Sequence, residues 1–255
     1  MGLFGKLFEK KICDVCGGEI GLLGNRKLED GNLCKECAKK LSPWFSDRRE
    51  STIEEIKQQL DYREQNKQAV EAFQVTRVLG DYYKIYLDED AGKFMVTSVK
   101  DYRGANPDVL DFSQVTGCAL DINETRHEDK RTDDEGNRVS YNPPRYWFSY
   151  DFTMVVRVNH PYFDEMRFRL NSSSVDVHPR GFSRSINPQA DPDYMEYEEM
   201  GREIKQVLTE ARQQVRQQAA EAAAPKAAVT CPWCGATTHP DSAGCCEYCG
   251  GSVNG

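Results

Sequence analysis

Histidine is scarce in this sequence, with four in 255 residues, and basic residues (33) are outnumbered by acidic ones (41). Long apolar runs are lacking as well. Each shortage excludes a class of function. No window approaches the roughly 18 consecutive apolar residues of a membrane-spanning helix. The opening "MGLFGKLFEKK" has an apolar run too short for an export signal and no small-residue cleavage site, so a cytoplasmic location is expected. The formal charge is −8, and nucleic-acid backbone repels such a chain unless its cations are segregated.

The motifs of common catalysts are also missing. There is no nucleophile elbow, phosphate-binding loop or dinucleotide fingerprint. His127 lies in a polar stretch, while His160 and His178 each precede a proline, so all three read as exposed turn residues. "EDKRTDDEGN" resembles a calcium loop only faintly. Arg131 and Asp134 stand where an oxygen ligand and the sharp-turn glycine belong, and a solvated hairpin tip is the better reading. Cys118, between Val115 and Leu120, reads as a buried apolar residue. No catalytic constellation emerges, and a non-enzymatic protein is expected.

What the chain does have is ten cysteines. Without an export signal, paired C-x-x-C units point to metal binding rather than disulfides. Cys13, Cys16, Cys34 and Cys37 form two such pairs with seventeen residues between them. This spacing favours a structural zinc site over a redox dithiol or an iron centre. Gly17 and Gly18 allow a tight knuckle, "LLGNRKLEDGNL" supplies a hairpin, and "CKECAKKL" starts a helix whose free N–H groups favour thiolate. Knuckle, hairpin and helix in that order make a treble-clef-like module.

A second set closes the sequence as a zinc ribbon. Cys231 and Cys234 are followed after eleven residues by Cys246 and Cys249. Cys245 is then a spare thiol, and His239 is the alternative ligand. Two Zn²⁺ ions held by four thiolates each would take the net charge to about −12. Neither module is long enough to fold on an apolar core, so both ions are expected to be structural.

The organisation between these modules follows from periodicity. Residues 1–11 are an amphipathic start, with Leu3, Phe4, Leu7 and Phe8 against Lys6, Lys10 and Lys11; they suit either a membrane surface or packing on protein. The zinc module covers 12–45. A linker helix follows over 46–72, with Ser51 and Glu54 as its capping box and Ile53, Ile56 and Leu60 at helical spacing. Residues 73–190 hold the strand-like runs "FQVTRVL", "YYKIYLD", "KFMVTSV", "DFSQVTGCALDI", "RYWFSYDFTMVVRVN" and "EMRFRLN". Hairpin connections between them predict an antiparallel sheet closed into a barrel or sandwich. A long helix starts near Asp191 or Asp193 and fills 191–224, with Tyr194, Tyr197, Ile204 and Leu208 facing the sheet. The ribbon occupies 225–255. The fold class is α+β and multidomain.

The run from Cys13 through "STIEEIKQQLDYREQNKQAVEAF", with the "F-x-V-T-R" strand start after it, resembles an uncharacterised bacterial family. In that family a four-cysteine domain precedes a helix and a pleckstrin-homology-like domain. The match is strong over 12–80 and looser through "VNHPYFDEMRFRLNSSSV". It implies a partly open seven-strand barrel plugged by the helix after Asp191, and no catalytic residues. Asp81, Asp88, Glu89 and Asp90 against Lys84 and Lys93 depart from an inositide-binding pocket. Near the first cysteine set, Arg26, Lys27, Lys35, Lys39 and Lys40 are interleaved with Glu29, Asp30 and Glu36, short of the unbroken basic stripe that nucleic acid needs.

The expected function is therefore a zinc-stabilised adaptor or scaffold for a protein partner, including a second copy of the chain. Peripheral membrane binding through residues 1–11 and the barrel is the alternative, with nucleic-acid binding a lower one. Elemental analysis of the purified protein is expected to find close to two zinc ions per chain; one or none would break the two-module reading.

Overall fold

The structure is a computed structural model describing residues 11–179, 186–223, 228–241 and 243–253. Of the amphipathic start, only Lys11 falls within them. The residues group into two compact units, one up to Arg212 and one from Gln213 onward.

The first unit opens with four two-residue strands. β1 (Lys11–Ile12) pairs with β2 (Glu19–Ile20), and β3 (Arg26–Lys27) pairs with β4 (Asn32–Leu33) as the expected hairpin. Helix α1 (Lys35–Ala38) follows, and α2 (Ile53–Ala72) packs behind. Ile20, Leu28, Leu33, Leu41 and Ile56 make a small core with Cys13 and Cys37. The capping box of α2 sits one residue later than expected. Thr52 accepts from the Glu55 backbone N–H, and the Glu55 carboxylate reaches back to Thr52. Ser51 is occupied elsewhere, donating its hydroxyl to the Asp47 carbonyl at 2.9 Å.

The buried face of α2 is mostly polar. Gln59, Arg63 and Asn66 are buried along with Ile56 and Val70. Gln59 accepts from Ser42 N at 3.2 Å, and Arg63 meets Asp108, whose side chain is fully buried. Its carboxylate accepts from Arg63 Nη1 at 2.7 Å, Ser42 Oγ at 2.8 Å and Tyr62 Oη at 3.1 Å. Arg63 Nε also donates to the Lys40 carbonyl, and Asn66 bonds the backbone of Pro107 and Val109. One network thus ties the cysteine module, α2 and the strand after Asp108 together. The long-range pairing that buried charges demand is present.

Two antiparallel four-stranded sheets follow. The first is a meander of β5 (Arg77–Leu79), β6 (Lys84–Asp88), β7 (Lys93–Thr97) and β8 (Val109–Asp111), with the short helix α3 (Tyr102–Ala105) before β8. In the second, β9 (Val115–Thr132) pairs with β10 (Arg138–Val158); the far edge of β10 carries β11 (Glu165–Arg169) and β12 (Val175–Val177). Ile85, Leu87, Phe94, Met95 and Leu110 from the first sheet are buried, as are Phe152, Met154, Val156, Met166 and Phe168 from the second.

Two expectations are corrected here. The sheets do not close into a barrel: among the described residues no ladder joins one to the other. A 3-10 turn over Phe112–Gln114, capped by Asp111 and Gln114, redirects the chain between β8 and β9. The polar stretch from Asn123 to Pro144, left outside the strand-like runs, is mostly strand: β9 and β10 run through it and turn at 133–137, within the expected hairpin tip. Backbone ladder bonds need no apolar side chains, so a ribbon solvated on both faces lacks the alternation that betrays a strand. Rings and charges cover it instead. Trp147 stacks on His127 at 4.0 Å between centroids, and Arg126 lies over Tyr146 at 4.7 Å.

The histidines are corrected with it. His127 is a strand residue bonded to Ser149 Oγ at 2.7 Å. His160 is half-buried, stacked on Phe163 and edge-on to Tyr62, and burial holds its pKa below the usual value. His178 is exposed but stacks on Trp147. Cys118 is only half-buried, and burial pushes its thiol up to about 12.

Helix α4 (Pro192–Ala223) presents Tyr194, Ile204 and Leu208 to the sheets as expected, all three buried. Tyr194 meets Tyr150 and Phe152 edge-on, Tyr197 donates to Asp81, and Glu203 pairs with Arg77. Gly201 permits this approach, because a Cβ there would lie 2.6 Å from Leu120 Cδ1. The second unit contains the hairpin of β13 (Val229–Thr230) and β14 (Thr237–Thr238).

Asp108→Ala leaves the Arg63 guanidinium buried without its counter-charge and is expected to cost about 3–5 kcal/mol, read from urea denaturation. Arg63→Met with Asp108→Leu should cost less than that single change. A double variant as unstable as Asp108→Ala would contradict the assignment.

Candidate metal centres

Two groups of four thiols converge in the structure, Cys13, Cys16, Cys34 and Cys37 in the first unit and Cys231, Cys234, Cys246 and Cys249 in the second. Within each group all Sγ atoms lie within 4.8 Å of one another.

Local backbone chemistry builds these groups. Three of the four C-x-x-C turns share one geometry. At Cys13 the backbone N–H donates to the Gly18 carbonyl at 2.9 Å, and the Cys13 carbonyl accepts from Gly17 at 2.8 Å. Cys231 repeats this with Ala236 and Gly235, and Cys246 with Gly251 and Gly250. The turn needs a left-handed residue four places after its first cysteine, and Gly17, Gly235 and Gly250 supply it with φ of 71°, 72° and 70°. A side chain would be strained there. The fourth pair starts a helix: Cys34 caps α1, its sulfur accepting from Cys37 N at 3.3 Å. Cys34 N in turn donates to Cys13 Sγ at 3.3 Å.

Sulfur spacing tests whether the sets fit a metal. Four thiolates at about 2.3 Å around one tetrahedral ion stand about 3.8 Å apart. Cys16 and Cys34 are 3.8 Å apart, Cys231 and Cys249 3.6 Å, and Cys234 and Cys246 3.7 Å. These sulfurs are too far apart for a disulfide bond and fit the edges of a metal tetrahedron.

Electrostatics point the same way. Burial opposes ionisation of Cys13, but N–H groups of Cys16, Cys34 and Val15 outweigh it and lower its pKa to about 6. Burial and the neighbouring sulfurs, Cys13 among them, push Cys37 in the opposite direction. The second set repeats the split. Cys246 is lowered to about 6, the N–H groups of Cys249 and Tyr248 prevailing over burial. The Gly251 N–H favours the Cys249 thiolate, yet the Cys234 and Cys231 thiols prevail and raise it to about 12. Each group forms one thiolate readily and resists the fourth. A cation at the centre removes that resistance.

Every cysteine expected at these positions lies in its group. The two ambiguities of the second set also resolve geometrically. Cys245 stands outside the group, its N–H bonded to Asp241 and its backbone bridged to Ser252, and His239 is not in the group either. The three-fold repetition of the knuckle was readable in the sequence as glycine four places after Cys13, Cys231 and Cys246. The Arg63–Asp108 network had no such signal, because its members are far apart in the chain.

Cys246→Ser is expected to remove one equivalent of bound metal, while Cys245→Ser leaves the content unchanged. Equal loss from both would move the site by one residue.

Residues 11–59 match the model of a domain of unknown function (DUF4428), a stretch running from β1 into α2 that holds the whole first cysteine group. The second group lies outside that match. Neither the curated proteins nor the solved structures contain a match to the chain.

Proposed function

We propose that this chain is a non-catalytic adaptor whose two four-cysteine sets hold structural Zn²⁺. The observation that carries the reading is the sulfur geometry. Four thiolates at tetrahedral spacing complete zinc's coordination and leave no place for a substrate or an activated water. When bound, the ion supplies cross-linking and charge neutralisation. The knuckle, hairpin and helix around the first set agree with a treble clef, and paired knuckles around the second agree with a ribbon. The order of two sheets followed by a packed helix agrees with a pleckstrin-homology-like domain in open form.

The adaptor role draws support from what the cysteine-anchored loops display. Leu22 and Leu23 follow the first knuckle and are 87% and 90% exposed. Trp233 and Tyr248 stand inside the two C-x-x-C turns of the second set at 75% and 71% exposure. Large apolar side chains held out on cross-linked turns suit recognition better than folding. The reading places the protein in the cytoplasm, where thiols remain reduced.

X-ray absorption at the zinc edge is expected to show four sulfur neighbours near 2.3 Å and no oxygen or nitrogen. In affinity purification from the native cell, Leu22→Ser with Leu23→Ser should lose a partner that the unchanged chain retains, at equal metal content. Identical partner sets would sink the role assigned to this loop.

A further inference from the structure

Folding commits two of the three acids interleaved with basic residues around the first cysteine set, Asp30 and Glu36, away from Arg26 and Lys27. Asp30 is drawn away to the start of α2, where it accepts from Ile53 N at 2.8 Å. Glu36 pairs with Lys39 at 2.9 Å. Asp14 accepts from Asn32 N at 2.7 Å. These acids are thereby committed to local structure. Meanwhile Arg48 and Arg49, some twenty residues later in the chain, come alongside β3. Arg48 Nη1 donates to the Lys27 carbonyl at 2.6 Å, which sets the two segments side by side.

The result is a cleft of about 750 Å³ lined by Arg26, Lys27, Arg48 and Arg49, with Asn25, Leu28 and Glu29. Among the described residues no carboxylate lies within ion-pair distance of any of the four cations. Glu29 is the single acid in the lining. Among the described residues Arg26 is steadied by the Leu23 and Asn25 carbonyls alone, at 3.4 and 3.5 Å. Burial, then the nearby Arg49 and Arg26 charges, lower the pKa of Arg48. Like charges are therefore gathered at a cost in a chain whose net charge is −8. A fold does not need such a gathering, whereas an oxyanion would relieve it. Guanidinium forks match phosphate oxygens two at a time, and a lysine adds a mobile point charge.

We propose that Arg26, Lys27, Arg48 and Arg49 form a binding site for a phosphate group, carried by a soluble phosphate compound or by a phospholipid headgroup. The site belongs to the first unit and sits beside the cysteine cluster without sharing its residues. Lys27 and Arg49 are exposed and, among the described residues, make no side-chain bond, so they can be changed without disturbing the fold.

The test uses the full-length, metal-loaded protein at low ionic strength. Pyrophosphate binding is followed by calorimetry. Co-sedimentation uses vesicles of phosphatidylcholine alone and vesicles containing phosphatidylglycerol. Lys27→Gln with Arg49→Gln is expected to weaken binding about tenfold or more, at unchanged zinc content. Lys39→Gln with Lys67→Gln removes the same charge from lysines already paired with Glu36 and Glu64, and should bind as the unchanged chain does. Pyrophosphate binding without vesicle binding identifies a soluble phosphate ligand. Sedimentation with phosphatidylglycerol vesicles, reversed by pyrophosphate, identifies a headgroup. Failure of the unchanged chain to bind either probe would overturn the proposal, as would equal loss in both double variants. None of these outcomes depends on the adaptor reading, which the partner and metal measurements test separately.

Discussion

The Asp108 carboxylate is fully buried, and its charge obliges the surrounding chain to supply donors. Arg63 answers from the middle of α2, Ser42 from the end of the cysteine module and Tyr62 from the next position on the helix. An unpaired carboxylate at that depth would cost several kcal/mol, so these segments can separate only together. This couples a module with a small apolar core to a sheet domain with a large one. It also explains why α2 is weakly amphipathic. Its inward face is chosen for hydrogen bonding to one carboxylate and its neighbouring carbonyls, and only Ile56 and Val70 there are apolar and buried.

The cysteine groups solve a related problem at the two ends of the chain. Each brings four sulfurs together where too few apolar residues exist to hold a fold. Backbone N–H groups stabilise a first thiolate, while burial at Cys37 and the neighbouring thiols at Cys249 oppose the last. The backbone alone cannot supply the missing charge. The same logic recurs at the basic cleft with the sign reversed, since cations are gathered there without their acids. In both places the fold concentrates one charge beyond what its own residues neutralise, and a ligand of opposite charge would complete the balance.

Legibility varied with the range of the interaction. Both cysteine sets could be read because their geometry is local: two residues between sulfurs, a glycine at the left-handed position, a helix start behind the last pair. The long helix after Asp191 was legible for the same reason. The α2 cap was displaced by one residue, because Ser51 and Thr52 are equivalent in sequence and only the contact with Asp47 separates them. Of the β9–β10 ribbon, only the polar part over 123–144 was left outside the strand-like runs, since strands solvated on both faces carry no alternating pattern. Barrel closure was expected from strand number and from resemblance. Among the described residues no ladder joins the two sheets, and the capped turn at 112–114 lies between them in the chain.

By itself the sequence determined which sulfurs group together, the absence of a long apolar span and the positions of the main helices, because turn geometry and helical period are short-range physics. Tertiary structure alone decided that Asp108 would meet Arg63, that Asp30 would be taken up at the start of α2, and that Arg48 and Arg49 would join Arg26 and Lys27. Those outcomes depend on which distant charges packing brings within a few ångströms, and no spacing along the chain encodes that distance.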